Sequence, residues 1–172
     1  MTVDVDDLNA LFTVEIEAED GPPSRTLSFT RSPTVLLNFA ANRFNRAAAK
    51  AYAQKFDIGI MDWRMLVMLT RVPGATVTQS AQTIGIDKAA ISRSVARLEQ
   101  RGLAVAGDVH ANGRSRGWWL TEAGRALHDR VLVEALTRQK RLLDGFSPQE
   151  IATLTDMLGR FIDNLDRLND DG

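Results

Sequence analysis

The chain has 172 residues, 44% of them hydrophobic and 25% charged, a composition that fits a globular protein with a proper core and excludes a disordered or membrane-embedded chain. There is no cysteine, and the only histidines are His110 and His128. Disulfides, thiolate metal sites and cysteine redox chemistry are thereby excluded, and imidazole-based sites are poorly supplied. The net charge of −1 hides a segregation: residues 1–32 carry seven acids against Arg25 and Arg31, and residues 144–172 carry seven against Arg160 and Arg167. Residues 33–143 hold 17 Lys and Arg against eight Asp and Glu. A polyanion responds to local positive charge, because counterions are released where phosphates are neutralised, so the middle of the chain suits a nucleic-acid partner. No apolar run approaches the roughly 20 residues that span a bilayer, and the acidic N-terminus lacks a signal-peptide pattern. The expectation is a cytoplasmic, nucleoid-associated protein with no membrane partner.

In residues 1–32, Phe12, Val14, Ile16 and Ala18 alternate with Thr13, Glu15 and Glu17, a period of two. A turn over Asp20–Ser24 follows, and Leu27 and Phe29 alternate again. Two conformations satisfy this acidic segment: a short hairpin, or an extended arm lying on a partner subunit. Ser32-Pro33 then reads as an N-cap with proline at the first helical position. The helix it opens runs over 33–56 with Leu37, Ala41, Phe44, Ala48 and Tyr52 at helical spacing, about 35 Å long. A second helix runs from Met61 to Thr70, with Trp63, Leu66, Val67 and Leu69 as its expected buried side, and Pro73-Gly74 closes it.

Thr76, with Gln79 three positions on, starts a short helix that stops at Gly85. Asp87 caps the next, which ends on Gly102. Two short apolar stretches, Leu103–Ala106 and Gly117–Leu120, flank the polar loop 107–116 and predict a two-stranded hairpin. Thr121-Glu122 starts a long helix that runs to about Leu143 and is terminated at Gly145. Ser147, Pro148 and Glu150 then give the most complete helix start in the chain, with Phe146 placed to staple onto Ile151. In the last helix Ile151, Leu154, Leu158, Phe161, Leu165 and Leu168 follow the alternating three-and-four spacing of a coiled-coil seam. An intersubunit role for that seam is favoured over an intramolecular one.

The order helix, helix, short helix, capped helix, hairpin, long helix, seamed helix predicts a mainly α fold: a winged helix-turn-helix with a two-stranded wing and long N- and C-terminal helices. The expected division is an arm or hairpin over 1–32, a long helix over 33–56, the DNA-binding region over 57–121 and C-terminal helices over 122–172. On a 100° wheel Ile91, Val95 and Leu98 of the capped helix face the core. Ala89, Arg93, Ala96, Arg97 and Gln100 face out, with Ser92 at the edge. Such a face, two guanidiniums among alanines that permit close approach, can enter a major groove, where arginine reads guanine bidentately. Lys88, Ala89, Ser92, Arg93, Ala96 and Arg97 are the expected recognition residues, with Thr76 and Thr78 at the start of the preceding helix. Asn112, Arg114 and Arg116 of the hairpin can reach the minor groove or flanking phosphates.

These elements resemble the MarR family over residues 33–168. The resemblance rests on Asp87–Leu103, on Asn112-Gly113-Arg114-Ser115-Arg116, on Leu120-Thr121-Glu122-Ala123-Gly124-Arg125 and on Trp63-Arg64-Met65-Leu66. It implies a homodimer on a pseudo-palindromic operator, recognition helices in the major groove, wings on the flanks, and release by a small phenolic or anionic effector. In that dimer 33–56 and 122–172 are the dimerisation helices, with Leu37, Phe44, Leu154, Leu158, Phe161 and Leu165 as the expected contacts. The expected activity is a repressor of transcription binding double-stranded DNA. Departures from the family pattern are Asn112 where aspartate is usual, Ala106-Gly107 where many members carry a basic residue, Ser80 in place of leucine, and the acidic extension. Trp118 and Trp119, adjacent on a strand, should face opposite ways, one of them into the core. His128 reads as a surface or interface residue. No phosphate loop, nucleophile elbow or metal-ligand spacing is present, so an enzyme is not expected and no cofactor is required. The alternative to a DNA-binding regulator is a winged-helix protein-interaction module.

Overall fold

The structure is a computed structural model that describes residues 5–109 and 116–170. Its N-terminal segment is a short helix, α1 (Val5–Phe12), followed by an antiparallel hairpin of β1 (Thr13–Ile16) and β2 (Ser24–Leu27), with Thr13 opposite Leu27. Of the two conformations open to the sequence, the hairpin is the one adopted. Its base is fixed by a bond from Ser28 N–H to the Phe12 carbonyl (2.7 Å) and another from the Arg31 guanidinium to the Thr13 carbonyl (2.6 Å). Phe29 then meets Phe39 edge to face, centroids 5.2 Å apart.

Pro33 opens α2 (Pro33–Phe56), which stops where Asp57 turns left-handed at φ 55° and its N–H returns to the Ala53 carbonyl. Helix α3 (Ile60–Arg71) follows, then a two-residue strand, β3 (Ala75–Thr76). Thr76 Oγ1 accepts from Gln79 N–H (3.1 Å) to cap α4 (Val77–Ile84), and Gly85 ends it at φ +71°. Asp87 Oδ1 accepts from Ala90 N–H (2.8 Å) to cap α5 (Lys88–Gln100). The wing strands are β4 (Ala104–Val109) and β5 (Arg116–Leu120), both longer than the apolar runs suggest. Strand β3 adds to them as a third, unanticipated strand, giving an antiparallel sheet in the order β3-β5-β4.

Helix α6 (Glu122–Leu142) is joined to the end of α5 by the Leu120–Arg125 motif. Thr121 Oγ1 accepts from Gly124 N–H (3.0 Å) and donates to the Gly102 carbonyl (2.7 Å), while Thr121 N–H bonds the Leu103 carbonyl (3.1 Å). Arg125 donates to the Leu120 carbonyl (2.7 Å). Gly124 packs so closely that a Cβ there would sit 1.9 Å from the Leu103 carbonyl oxygen. The last helix, α7 (Pro148–Asp170), begins with the capping box read from the sequence: Ser147 N–H and Oγ both donate to Glu150 (2.8 and 2.7 Å) and Glu150 N–H to Ser147 Oγ (3.3 Å).

One buried cluster runs from Ala48 to Val131. It joins Met65, Leu66 and Leu69 of α3 to Ile91, Val95 and Leu98 of α5. The wing base (Leu103, Ala104, Leu120) and α6 (Leu127, Val131) close it, and Ala48 and Tyr52 of α2 complete it. The core therefore crosses the expected boundaries near 56 and 121, because the inner halves of α2 and α6 supply part of it. The buried side of α3 is rotated from expectation: Met65 and Met68 are buried, while Trp63 and Val67 are only half-buried. Helix α3 lies between α5 and α6 and contacts both, so its core-facing arc is wider than a single stripe. No described helix is long and apolar enough to cross a membrane.

Candidate nucleic-acid interface

Helix α5 is anchored from beneath by Ile91, Ser94, Val95 and Leu98, all buried. On its other side Lys88, Ala89, Ser92, Arg93, Ala96 and Arg97 are exposed on a continuous face, with Thr78 exposed at the start of α4. Thr76 is half-buried, its hydroxyl used as the α4 cap and its backbone paired with Gly117. Arg93 enters no ion pair among the described residues.

Arg97 departs from the wheel. Its Nη2 lies 2.6 Å from Asp62 Oδ1 and its Nε 3.4 Å from Oδ2, so the guanidinium turns back toward α3 instead of outward. Asp62 is 5% exposed. It also accepts from Ser94 Oγ (2.7 Å) and from the backbone N–H of Gly59 (3.1 Å). A buried carboxylate is tolerated only when its lone pairs are filled, and here all the donors are in place. Neither Asp62 nor Ser94 was singled out from the sequence. The available signal was Ser94 itself, a polar residue on the same helical side as Ile91, Val95 and Leu98, which requires a buried partner.

In the wing, Arg116 is exposed at the first position of β5. Asn112 and Arg114 fall outside the described residues, as does His110. Trp118 is half-buried against the core, and Trp119 lies on the outer face of the sheet. The Trp119 ring rests on three glycines: a Cβ at Gly74, Gly107 or Gly117 would come within 2.7, 2.3 or 2.6 Å of it. Gly107 lies at the register shift between Ala106 and Val109, an extra residue in β4. The Trp119 indole thus fills the space that a side chain at Gly107 would need, which accounts for glycine there.

Leu37, Phe44, Leu154, Leu158 and Leu165 are exposed on helix faces that this chain does not cover, and Phe161 is half-buried. Phe44, Leu154 and Leu158 are brought together at the rim of a cavity of about 480 Å³ between α2, α3, α6 and α7. Leu37, Phe161 and Leu165 lie away from it. Tyr52, Trp63 and Arg138 also line it, and Arg138 Nε is buried without a partner among the described residues. Burial pushes the Tyr52 hydroxyl above the ordinary phenol range, with Arg138 pulling it partly back. His128 corrects the surface expectation: it is buried, stacked on Trp63 at 5.5 Å, with Nδ1 2.9 Å from Asp129.

A family model for the MarR family matches residues 56–115, the segment from the end of α2 through the wing. The chain is 30% identical to a MarR/EmrR-family transcriptional regulator from Acinetobacter sp. ADP1, and the two structures share a TM-score of 0.76 over 82% of this chain and 99% of that one. The chain belongs to the MarR family. This makes it a winged-helix transcriptional regulator and not an enzyme. The MarR-family protein is also 29% identical over 119 residues to the HTH-type transcriptional regulator PecS of Dickeya dadantii, spanning 67% of this chain and 71% of PecS. It shares its fold with MepR of S. aureus, solved as a MepR–DNA complex, at 19% identity and a TM-score of 0.68 over 80% and 99% of the two chains.

Proposed function

We propose that this MarR-family protein is a repressor that binds a pseudo-palindromic operator as a homodimer. In this reading each α5 enters a major groove with Ala89, Ser92, Arg93 and Ala96 against the bases and Lys88 and Thr78 against phosphates. Arg116, with Asn112 and Arg114, approaches the flanks. The observation that carries the reading is the exposed α5 face, small and cationic, held on a fully buried underside. A helix seated this firmly can present arginine to a base edge without losing its orientation. The uncovered apolar faces of α2 and α7 support a second copy as the partner that closes them. The cavity between α2, α3, α6 and α7 supports an aromatic, anionic effector: its walls are mostly apolar, and Arg138 is the cation within it.

The test is a titration of the protein on duplex from the region upstream of its own gene, across salt concentrations. Wild type should prefer one site by about 10³-fold or more over random duplex. Arg93→Ala should cost about 1–3 kcal/mol and relax preference at one base pair in each half-site. Arg116→Ala should weaken all duplexes alike and lower the salt slope by about 1. No preference by wild type would overturn the regulator in this specific form and favour a protein-interaction module. For the effector, benzoate should raise the melting temperature of wild type and not of Arg138→Ala.

A further inference from the structure

We propose that Asp62 is the positioning residue of the DNA-reading surface, and that Arg97 is a strut between α3 and α5 and not a base-reading side chain. The proposal rests on the operator-binding reading above. Its ground is the set of bonds converging on one buried carboxylate. Ser94 Oγ at 2.7 Å and Arg97 Nη2 at 2.6 Å both reach Oδ1, and Arg97 Nε and the Gly59 N–H reach Oδ2 at 3.4 and 3.1 Å. Ser94 and Arg97 are one helical turn apart, so they hold α5 at two levels along its axis, from one point on α3. Apolar contacts between Ile91, Val95, Leu98 and α3 fix the separation of the helices, but apolar contacts are non-directional and leave rotation about the axis weakly specified. The carboxylate supplies the missing direction. It is itself held in register by the first turn of α3, through Gly59.

The geometry also assigns specificity within α5. A guanidinium that is committed to Asp62 has to break that bond before it can reach a base, exposing a buried charge. Arg93, one turn earlier and free of ion pairs among the described residues, carries no such commitment. Base reading by arginine on α5 therefore falls to Arg93, and Arg97 sets the angle at which Arg93 is presented.

The test uses full-length Asp62→Asn, Arg97→Gln and the double variant, measured against the preferred duplex and its single-base variants at several salt concentrations. Each single variant should lose about tenfold in affinity on the preferred duplex, with discrimination weakened together at all base pairs read from α5 and the salt slope unchanged, and the double variant should be no weaker than either single one. Amide hydrogen exchange over residues 88–101 should quicken in Asp62→Asn without DNA present. Arg97→Gln leaves Asp62 bonded to Ser94 and Gly59, so it keeps the fold testable if Asp62→Asn does not fold. The proposal is overturned if Arg97→Gln loses preference at one base pair only or lowers the salt slope by about 1, or if the two losses add. It is also overturned if exchange over 88–101 is unchanged. Absence of any preferred duplex for wild type would instead sink the operator reading, and the exchange measurement would still decide the strut.

Discussion

The winged-helix centre and the terminal helices answer the same problem differently. Around α5 every element is closed on its own chain: the underside is buried, Asp62 is filled with donors, and the Thr121–Gly124 turn is bonded to the end of the helix before it. Along α7, Leu154, Met157, Leu158, Ile162, Leu165 and Leu168 stay exposed, as do Leu36, Leu37 and Phe44 on α2. The first region holds its shape in one copy. The second carries an apolar seam that one copy leaves open, and an exposed stripe of this extent marks an interaction surface. The lesson is that orientation of a reading helix is built from within, while the spacing between two such helices would be set by a second molecule.

Three changes break or sharpen this contrast. Gly124→Ala should be the most damaging, because its Cβ would fall 1.9 Å from a backbone oxygen that has no rotamer to escape into. A loss of about 3 kcal/mol is expected, seen as a drop in melting temperature, although alanine is the better helix former by about 1 kcal/mol. A stabilised protein would show that the junction is looser than the geometry states. Leu158→Glu should act on the other region: the residue is 38% exposed, so the chain should stay folded while self-association weakens by about 30-fold or more. Light scattering should then report the 19.0 kDa of one chain, and an unchanged dimer would remove α7 from the interface.

The smallest effect concerns the start of α7. Bonds from Ser147 N–H and Oγ hold the Glu150 carboxyl below the ordinary glutamate range. Because the folded value is the lower one, this contribution is complete above the unfolded glutamate's range and is lost as pH falls through the lowered value. Glu150→Gln should flatten that part of the stability–pH curve and leave the rest unchanged. A mutant curve parallel to wild type would show that the ionisation of Glu150 contributes nothing to folding.

The sequence was most legible where interactions are local. Pro33, Thr76, Asp87, Gly85, Gly102, Thr121 and the Ser147–Glu150 pair each act within a turn of the chain, and the helix boundaries follow them closely. Strand β3 was not legible, since two residues become a strand only through Trp118 and Gly117, some 40 residues on. The ion pair of Arg97 with Asp62 is not legible for a related reason. A wheel places its Cα on the outer face, but a long side chain can lie along the surface and bring its charge to a partner the wheel does not contain. His128 was misplaced because its burial depends on Trp63 of α3, a neighbour in space only.

The three tryptophans happen to sample the molecule's distinct environments. Trp63 stands in the cavity wall against His128, Trp118 packs on the core, and Trp119 lies over the glycines of the outer wing. The protein thereby carries its own optical reporters. Quenching by an added acrylamide should reach the Trp119 indole first, and absorbance or emission that changes on filling the cavity should come from Trp63. With each ring removed in turn, native fluorescence can follow wing and cavity separately without any attached dye.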